Sequence, residues 1–209
     1  MYATTTKVAA ENPGDEIPEE LEILVNEPTA DTPTHIVAIS PLVNDSPVNS
    51  VALHPVHGII LAAHCANLHV LPHSQPPGGA LRVTVPVVTI SLPHPGSFGF
   101  LLRYLYTRRA QDVLAALFPD GTVKTSPPGQ PKKIAETHTV NTILSYIYLT
   151  HGLWSNVTTL GIFDETLWRV IEYTWKTLSA ALSLKTDENL ASGAEYVRLD
   201  LSKVITPRD

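Results

Sequence analysis

The chain reads as an α+β protein, a small and mostly N-terminal sheet flanked by a helical C-terminal half. Three observations predict this. Strand-like segments come first, between residues 35 and 92, and stripes at helical spacing follow from residue 98 onward. Stretches rich in Pro, Gly and Asn separate the strand-like segments. With 18 prolines in 209 residues, against a usual share of about 5%, the composition argues against a long helical bundle.

The elements follow in order. His35–Ser40 is a strand ended by Pro41, and Asn49–Leu53 is a second. The turn residues Asn44-Asp45-Ser46-Pro47 lie between them, so the two strands form a hairpin with a long loop. Val56–Cys65 is compact and apolar, and periodicity alone leaves it either a strand or a buried helix. Pro72–Gly79 is a loop. Arg82–Leu92 is a third strand, with Pro86 marking an edge or a bulge.

Ser97 can then cap a helix whose stripe is Phe98, Leu101, Leu102 and Leu105, expected in the core with Leu61. A short helix with Val113, Leu114, Leu117 and Phe118 inward stops at Pro119-Asp120-Gly121. Residues 120–137, with Pro127, Pro128, Gly129 and Pro131, read as a loop. Val140, Ile143, Leu144 and Ile147 form a stripe ending near Gly152. Asp164 caps a long helix to about Leu184, with Leu167, Ile171, Trp175, Leu178 and Leu182 inward. Beyond it Val197, Leu199 and Leu201 alternate with polar residues, a short strand signal.

The net charge of −6 is uneven. Residues 1–34 carry eight acids and one base, Lys7, and also Pro13, Pro18, Pro28 and Pro33. Such a composition is expected to stay unfolded, except where Leu21–Val25 can order as a short strand or a docking segment. Residues 35–119 hold only Asp45, Asp112, Arg82, Arg103, Arg108 and Arg109. A surface so poor in charge is either buried or covered by a partner. No basic footprint for nucleic acid is present. Apolar runs such as Ile59–Ala63 fall far short of the ~20 residues of a membrane span. The opening Met1–Thr6 lacks the apolar core of a signal peptide, and Cys65 is the one cysteine, so an intracellular, reduced protein is expected, nuclear or cytoplasmic.

Six histidines between residues 54 and 94 (His54, His57, His64, His69, His73 and His94) raise a zinc reading. Pro55 spoils the helical presentation of His54 and His57, and neither Cys-x-x-Cys nor His-Glu-x-x-His is present, so structural or solvent-facing histidines, no metal and no cofactor are expected. Cys65 beside His64 invites a thiol nucleophile, but adjacent side chains point apart and a buried core cysteine is the better reading. No phosphate-cradling or nucleophile-elbow motif occurs, so no catalytic residue is assigned. The candidate interaction residues are Arg103, Tyr106, Arg108 and Arg109, a cationic and aromatic group at the end of the residue-98 helix. The plain alternative for Arg108 and Arg109 is a favourable charge at the helix C-terminus.

Two segments resemble a BTB/POZ domain. His57-Gly58-Ile59-Ile60-Leu61-Ala62-Ala63-His64-Cys65 is similar to that family's His-x-x-aliphatic-Leu-Ala-Ala-x-Ser/Cys segment, a buried helix after a hairpin. Val88–Phe98 and Leu101-Leu102-Arg103-Tyr104-Leu105-Tyr106-Thr107 resemble its strand, short turn and following helix. The resemblance makes 57–65 a helix. A closer likeness is to the clampless proteins of mushroom-type and smut fungi. It rests on Val85-Pro86-Val87-Val88, Leu92-Pro93-His94-Pro95-Gly96-Ser97-Phe98, Tyr104-Leu105-Tyr106-Thr107-Arg108-Arg109, Asp112-Val113-Leu114 and Leu160–Trp168, and covers roughly residues 35–185.

The expected organisation is therefore an acidic arm at 1–34, a BTB/POZ-like domain at 35–185 with a loop insert at 120–137, and a C-terminal extension at 186–209. The resemblance implies a non-enzymatic protein–protein interaction domain that regulates fungal sexual development, in the mating-type pathway at clamp-cell formation. Its partners would be other proteins, mating-type homeodomain transcription factors or their associates, with no direct nucleic-acid or membrane contact; a homodimer is left open. The alternatives are a cullin-type substrate adaptor and a small metal-dependent or thiol enzyme using the His-rich segment 54–73.

Overall fold

The computed structural model describes residues 6–9, 17–24, 32–42, 50–74, 82–119 and 130–191. The fold is α+β. Strands β1 (Thr6–Ala9), β2 (Glu20–Leu24), β3 (His35–Pro41) and β4 (Ser50–Val56) precede helix α1 (Gly58–His64). Strand β5 (Arg82–Leu92) and a 3-10 turn at Pro95–Ser97 lead into α2 (Phe98–Thr107) and α3 (Ala110–Ala116). Three further helices follow, α4 (Gln130–Thr137), α5 (Val140–Leu160) and α6 (Glu165–Ala191).

The sheet order is β1-β4-β3-β5-β2. β3 and β4 form the expected antiparallel hairpin, and β5 returns parallel to β3, in register from Ile36↔Val87 to Pro41↔Leu92. A parallel return needs a crossover, and α1 lies in that connection. Pro86, which has no N–H to give, sits where β5 changes partner. It pairs with Glu20 of β2, and Val87 is the first residue paired with β3.

One face of the sheet presents Val37, Ile39 and Val56 to α1, α2, α5 and α6. Leu61, Phe98, Leu101, Leu102 and Leu105 are buried together there, as the stripe predicts. The other face buries Ile36, Val83 and Val85, with Leu21 and Ile23 of β2 packed against them. A third cluster joins α4, α5 and α6 through Ile134, Ile143, Leu178 and Leu182.

Four expectations change. The acidic arm pairs in two places: β2 with β5, at the segment expected to be able to order as a short strand, and β1 antiparallel with β4, which the composition did not suggest. The reason at β2 is the alternation of Leu21 and Ile23, half-buried, with exposed Glu20 and Glu22. The insert holds a helix over its second half, α4. Pro131 lies in the first turn, where no N–H is required, and Ile134 and Ala135 are buried against α6. The α5 stripe does not end at Gly152 but runs to Leu160, with Gly161 as the cap at φ 66°. Gly152 is instead a contact residue, since a Cβ there would lie 2.4 Å from Cγ of His94. Finally, α6 extends past Leu184 to Ala191, into the expected extension. The strand expected at 197–201 and the turn at 44–47 lie outside the described residues.

Candidate protein-interaction surface

The four candidate residues at the end of α2 separate into two roles. Arg108 ends α2 in the left-handed conformation, φ 56°, and donates its N–H to the Tyr104 carbonyl at 2.7 Å. That backbone state disfavours an L side chain by roughly 1–2 kcal/mol. The guanidinium offsets it by reaching Asp164 at 2.7 Å and lying over the Tyr104 ring, 5.5 Å from its centre. Asp164 is the hub of this corner. Its Oδ1 accepts from the backbone N–H groups of Thr166 and Leu167, capping α6 as expected, and its Oδ2 accepts from the Tyr104 hydroxyl at 2.8 Å. Burial alone would raise the carboxyl pKa, but Tyr104, the Leu167 N–H, Arg108 and the Thr166 N–H together hold it below the ordinary value. Burial, then the bond to Asp164, push the Tyr104 hydroxyl up to about 12. Arg108 therefore ties α2 to α6.

The other three stay at the surface. Arg103 pairs with Asp112 of α3 at 3.5 Å, both half-exposed. Tyr106, one turn on along the same face, receives the His57 backbone N–H at 2.7 Å and shares a hydrogen bond with His57 Nδ1 at 2.9 Å. Arg109 is exposed and stands at the N-cap position of α3 with no side-chain cap bond. A cation there faces the unfavourable end of the helix dipole, so it does not serve the stability of α3. Ile59 of α1, 76% exposed, lies two residues from His57.

The histidines divide between structural and solvent-exposed positions. His54 is buried edge-on to Phe98, 5.0 Å between ring centres, and burial lowers its pKa. His57 packs edge-on to Tyr106, while His69 and His73 are exposed. Among the described residues no three His, Cys, Asp or Glu side chains are grouped to hold a metal ion. Cys65 is buried in the main core, and desolvation pushes its thiol up to about 11, away from the thiolate a nucleophile needs. Ser97 occupies the N-cap position of α2 but does not cap it: its hydroxyl donates to the His94 carbonyl and accepts from Asn156.

A second surface, on α5, was not marked by the sequence patterns used above. Asn156 holds the backbone of His94 at both ends, accepting from its N–H at 3.0 Å and donating to its carbonyl at 2.8 Å. This seats the His94 ring on Gly152 and edge-on to Tyr148, 5.3 Å between ring centres. The ring of His151 meets that of Trp154 at 5.6 Å. Burial first, and the His151 charge after it, lower the His94 pKa, and its Nδ1 is buried without a partner among the described residues. Tyr148 is 62% exposed and Trp154 42%. The signal that finds them is aromatic residues lying off the buried stripe, in a stretch with no Asp, Glu, Lys or Arg from Thr137 to Phe163. Among the described residues no helix is long and apolar enough to cross a membrane.

Residues 1–93 match the family model described as Clampless protein 1 N-terminal domain, and residues 111–203 match that described as Clampless protein 1 C-terminal domain. No curated protein and no solved structure matches the chain. The two models together span most of the sequence, so the chain belongs to the clampless protein family. Helix α2 falls between them, and its buried side chains share one core with residues of both.

Proposed function

We propose that this clampless-family chain serves clamp-cell formation in fungal sexual development as a non-enzymatic interaction protein with a BTB/POZ-like core, docking another protein at the α2–α3 corner. Family membership supports the developmental role. The BTB/POZ-like reading draws support from the succession of hairpin, buried α1, strand β5, turn and α2, the order the sequence resemblance implies. The observation that carries the docking site is Arg109, an exposed cation at the N-cap position of α3, the end of that helix where the dipole does not favour a cation. Arg103 and the half-exposed Tyr106 precede it on α2, in the part of the chain poorest in charge. Arg and Tyr are enriched among residues that dominate binding energy. The fitting partner is an acidic protein segment, with mating-type homeodomain factors or their associates as the first candidates. The burial of Cys65 and the structural roles of His54 and His57 weigh against the enzyme reading.

The test is complementation with capture. Wild-type chain restores clamp cells to a strain lacking the gene and captures an acidic partner from mating hyphae. Arg109→Glu should accumulate and melt like wild type, yet weaken capture at least tenfold, about 1.4 kcal/mol. Equal capture by the variant removes the α2–α3 corner from the mechanism.

A further inference from the structure

Helix α1 is apolar all round, and such a helix is normally buried on every side. This one is buried on one side only. Leu61 and Cys65 face the main core, while Ile59, Ala62 and Ala63, at i, i+3 and i+4, are exposed. No Asp, Glu, Lys or Arg occurs from Ser46 to Leu81. Exposed apolar groups continue past the end of α1. There the Ala66 N–H donates to the Gly161 carbonyl at 3.2 Å and the Asn67 N–H to the Leu160 carbonyl at 3.1 Å, which brings the α5–α6 turn alongside. The turn carries Phe163, 89% exposed, and the segment after α1 carries Val70, 99% exposed, the two most exposed large apolar side chains among the described residues. Phe163 immediately precedes the Asp164 cap of α6, a position from which an apolar side chain often packs back on its helix; its exposure leaves that contact largely unmade. At the other end of α1, His57 is bonded to Tyr106 of α2. Arg108 closes the ring by joining the end of α2 to Asp164. Helix α1 spans only about 10 Å, so Tyr106, Ile59, Phe163 and Arg109 belong to one corner of the molecule.

We propose that the occupant of this corner is an acidic, amphipathic helix of a partner protein, its apolar stripe on Ile59, Phe163 and the α1 face between them, its acids on Arg109. The inference rests on the docking of an acidic segment at the α2–α3 corner and adds what the rest of that segment must be. Charge complementarity sets the sign of the partner. Arg103 and Arg108 are already in ion pairs, with Asp112 and Asp164, which leaves Arg109 to meet an incoming carboxylate. The uncharged surface beside it sets the other half of the partner's chemistry, because an all-acidic segment would leave Ile59 and Phe163 in water. The walls of the site are helices and a turn, so the partner docks through side chains, as an amphipathic helix does with anchors at i, i+3, i+4 and i+7. A lipid surface fits less well. Electrostatic attachment to anionic lipid takes a cluster of roughly four to eight basic residues, and this corner has far fewer to give.

The probe is a labelled synthetic peptide of about 18 residues, long enough to be helical, with Leu at i, i+3, i+4 and i+7 on one face and Glu and Gln on the other. By fluorescence anisotropy the full chain should bind it at least tenfold more tightly than a peptide of the same composition with the period broken, and at least tenfold more tightly than one with Lys in place of Glu. Ile59→Asp and Phe163→Ser should each weaken binding at least tenfold. Both side chains are exposed, and an acid in the first turn of α1 suits the helix dipole, so the melting temperature should not fall. Arg109→Glu should lose the Glu peptide and gain the Lys peptide, a reversal that a structural role for Arg109 does not produce. A Leu–Glu peptide that does not bind, or that binds equally with its period broken, overturns the inference. So does binding indifferent to Ile59→Asp and Phe163→Ser; if Arg109→Glu still weakens capture from mating hyphae, the acidic docking stands and only its apolar half is lost. Attachment to phosphatidylserine vesicles that Ile59→Asp abolishes would give the face to a lipid surface, and self-association in sedimentation that Ile59→Asp abolishes would give it to a second copy; either result overturns the proposal.

Discussion

Helices α5 and α6 lie side by side, bury comparable stripes in the same core, and meet solvent in opposite ways. Along α6, Glu165 pairs with Arg169, and Glu172 pairs with Lys176, one turn apart. Each pair contributes little to stability, but together they make a face suited to water. The outward face of α5 has no charge and two exposed aromatics. Their inward faces are alike even in detail: Thr150 on α5 and Thr174 on α6 are fully buried, and each hydroxyl donates to the carbonyl four residues back. Two helices so similar inside and so different outside show that the outward composition was not dictated by folding. The surface of α6 carries charge toward solvent, and that of α5 carries none.

The largest expected effect tests the shared half of the comparison. Leu153 of α5 and Leu178 of α6 are both fully buried, in different clusters. Leu153→Ala and Leu178→Ala should each destabilise the protein by about 2–5 kcal/mol, the range for a buried leucine truncated to alanine. Denaturant unfolding of both variants measures this. A loss below about 0.5 kcal/mol for one of them would mean its helix is not part of the core.

A smaller effect belongs to α5 alone. Gly152→Ala gains helix propensity of about 1 kcal/mol, but the new Cβ would lie 2.4 Å from the His94 ring. Asn156 pins the His94 backbone, and the clash reaches the His94 Cβ at 2.8 Å as well as the ring, so turning the ring alone does not relieve it. Gly152→Ala should therefore be net destabilising by about 1–3 kcal/mol, the usual range for overpacking, and His94→Ala in the same chain should recover most of it. Additive losses in the double variant would show that the two sites do not touch.

This glycine also shows where the sequence was readable and where it was not. β5 occurs at Arg82–Leu92 and the stripe Phe98, Leu101, Leu102 and Leu105 is buried as expected, because both signals are local periodicities longer than a turn. The Asp164 cap was readable for the same reason, a side chain acting two and three residues away. Gly152 and Gly161 carry the same local signal of a helix end. Only Gly161 has the left-handed backbone, while Gly152 is required by a ring 58 positions away in sequence, at His94. Arg108 belongs with it. It looked like a surface cation at a helix terminus, and its partner Asp164 is distant in sequence and near only in the fold. In the acidic arm β2 was readable from the apolar Leu21–Val25 segment, while β1, short and without such a segment, was not.

The last and smallest effect separates the two helices by pH. The support under α5 includes His94, and the neighbouring core holds His54; burial lowers both pKa values. The start of α6 rests on Asp164, whose carboxyl is held below its ordinary value by Tyr104, Arg108 and two backbone N–H groups against the opposing pull of burial. In all three cases the unfolded chain takes up the proton first, so stability falls as pH falls. The windows differ. For the histidines the loss begins near the ordinary value of about 6.5 and ends at their lowered folded values; for Asp164 it begins near about 3.9. Melting temperature followed from pH 8 downward should thus fall in two stages, the first of a few degrees, since each ring is only partly withdrawn from water. His94→Gln should flatten the upper stage and leave the lower one, and Asp164→Asn should do the reverse. A melting temperature constant from pH 8 to pH 5 would mean that neither His94 nor His54 is held neutral by its site. A first stage unchanged in His94→Gln would assign it to His54, and with it the pH sensitivity would move from the underside of α5 to the sheet.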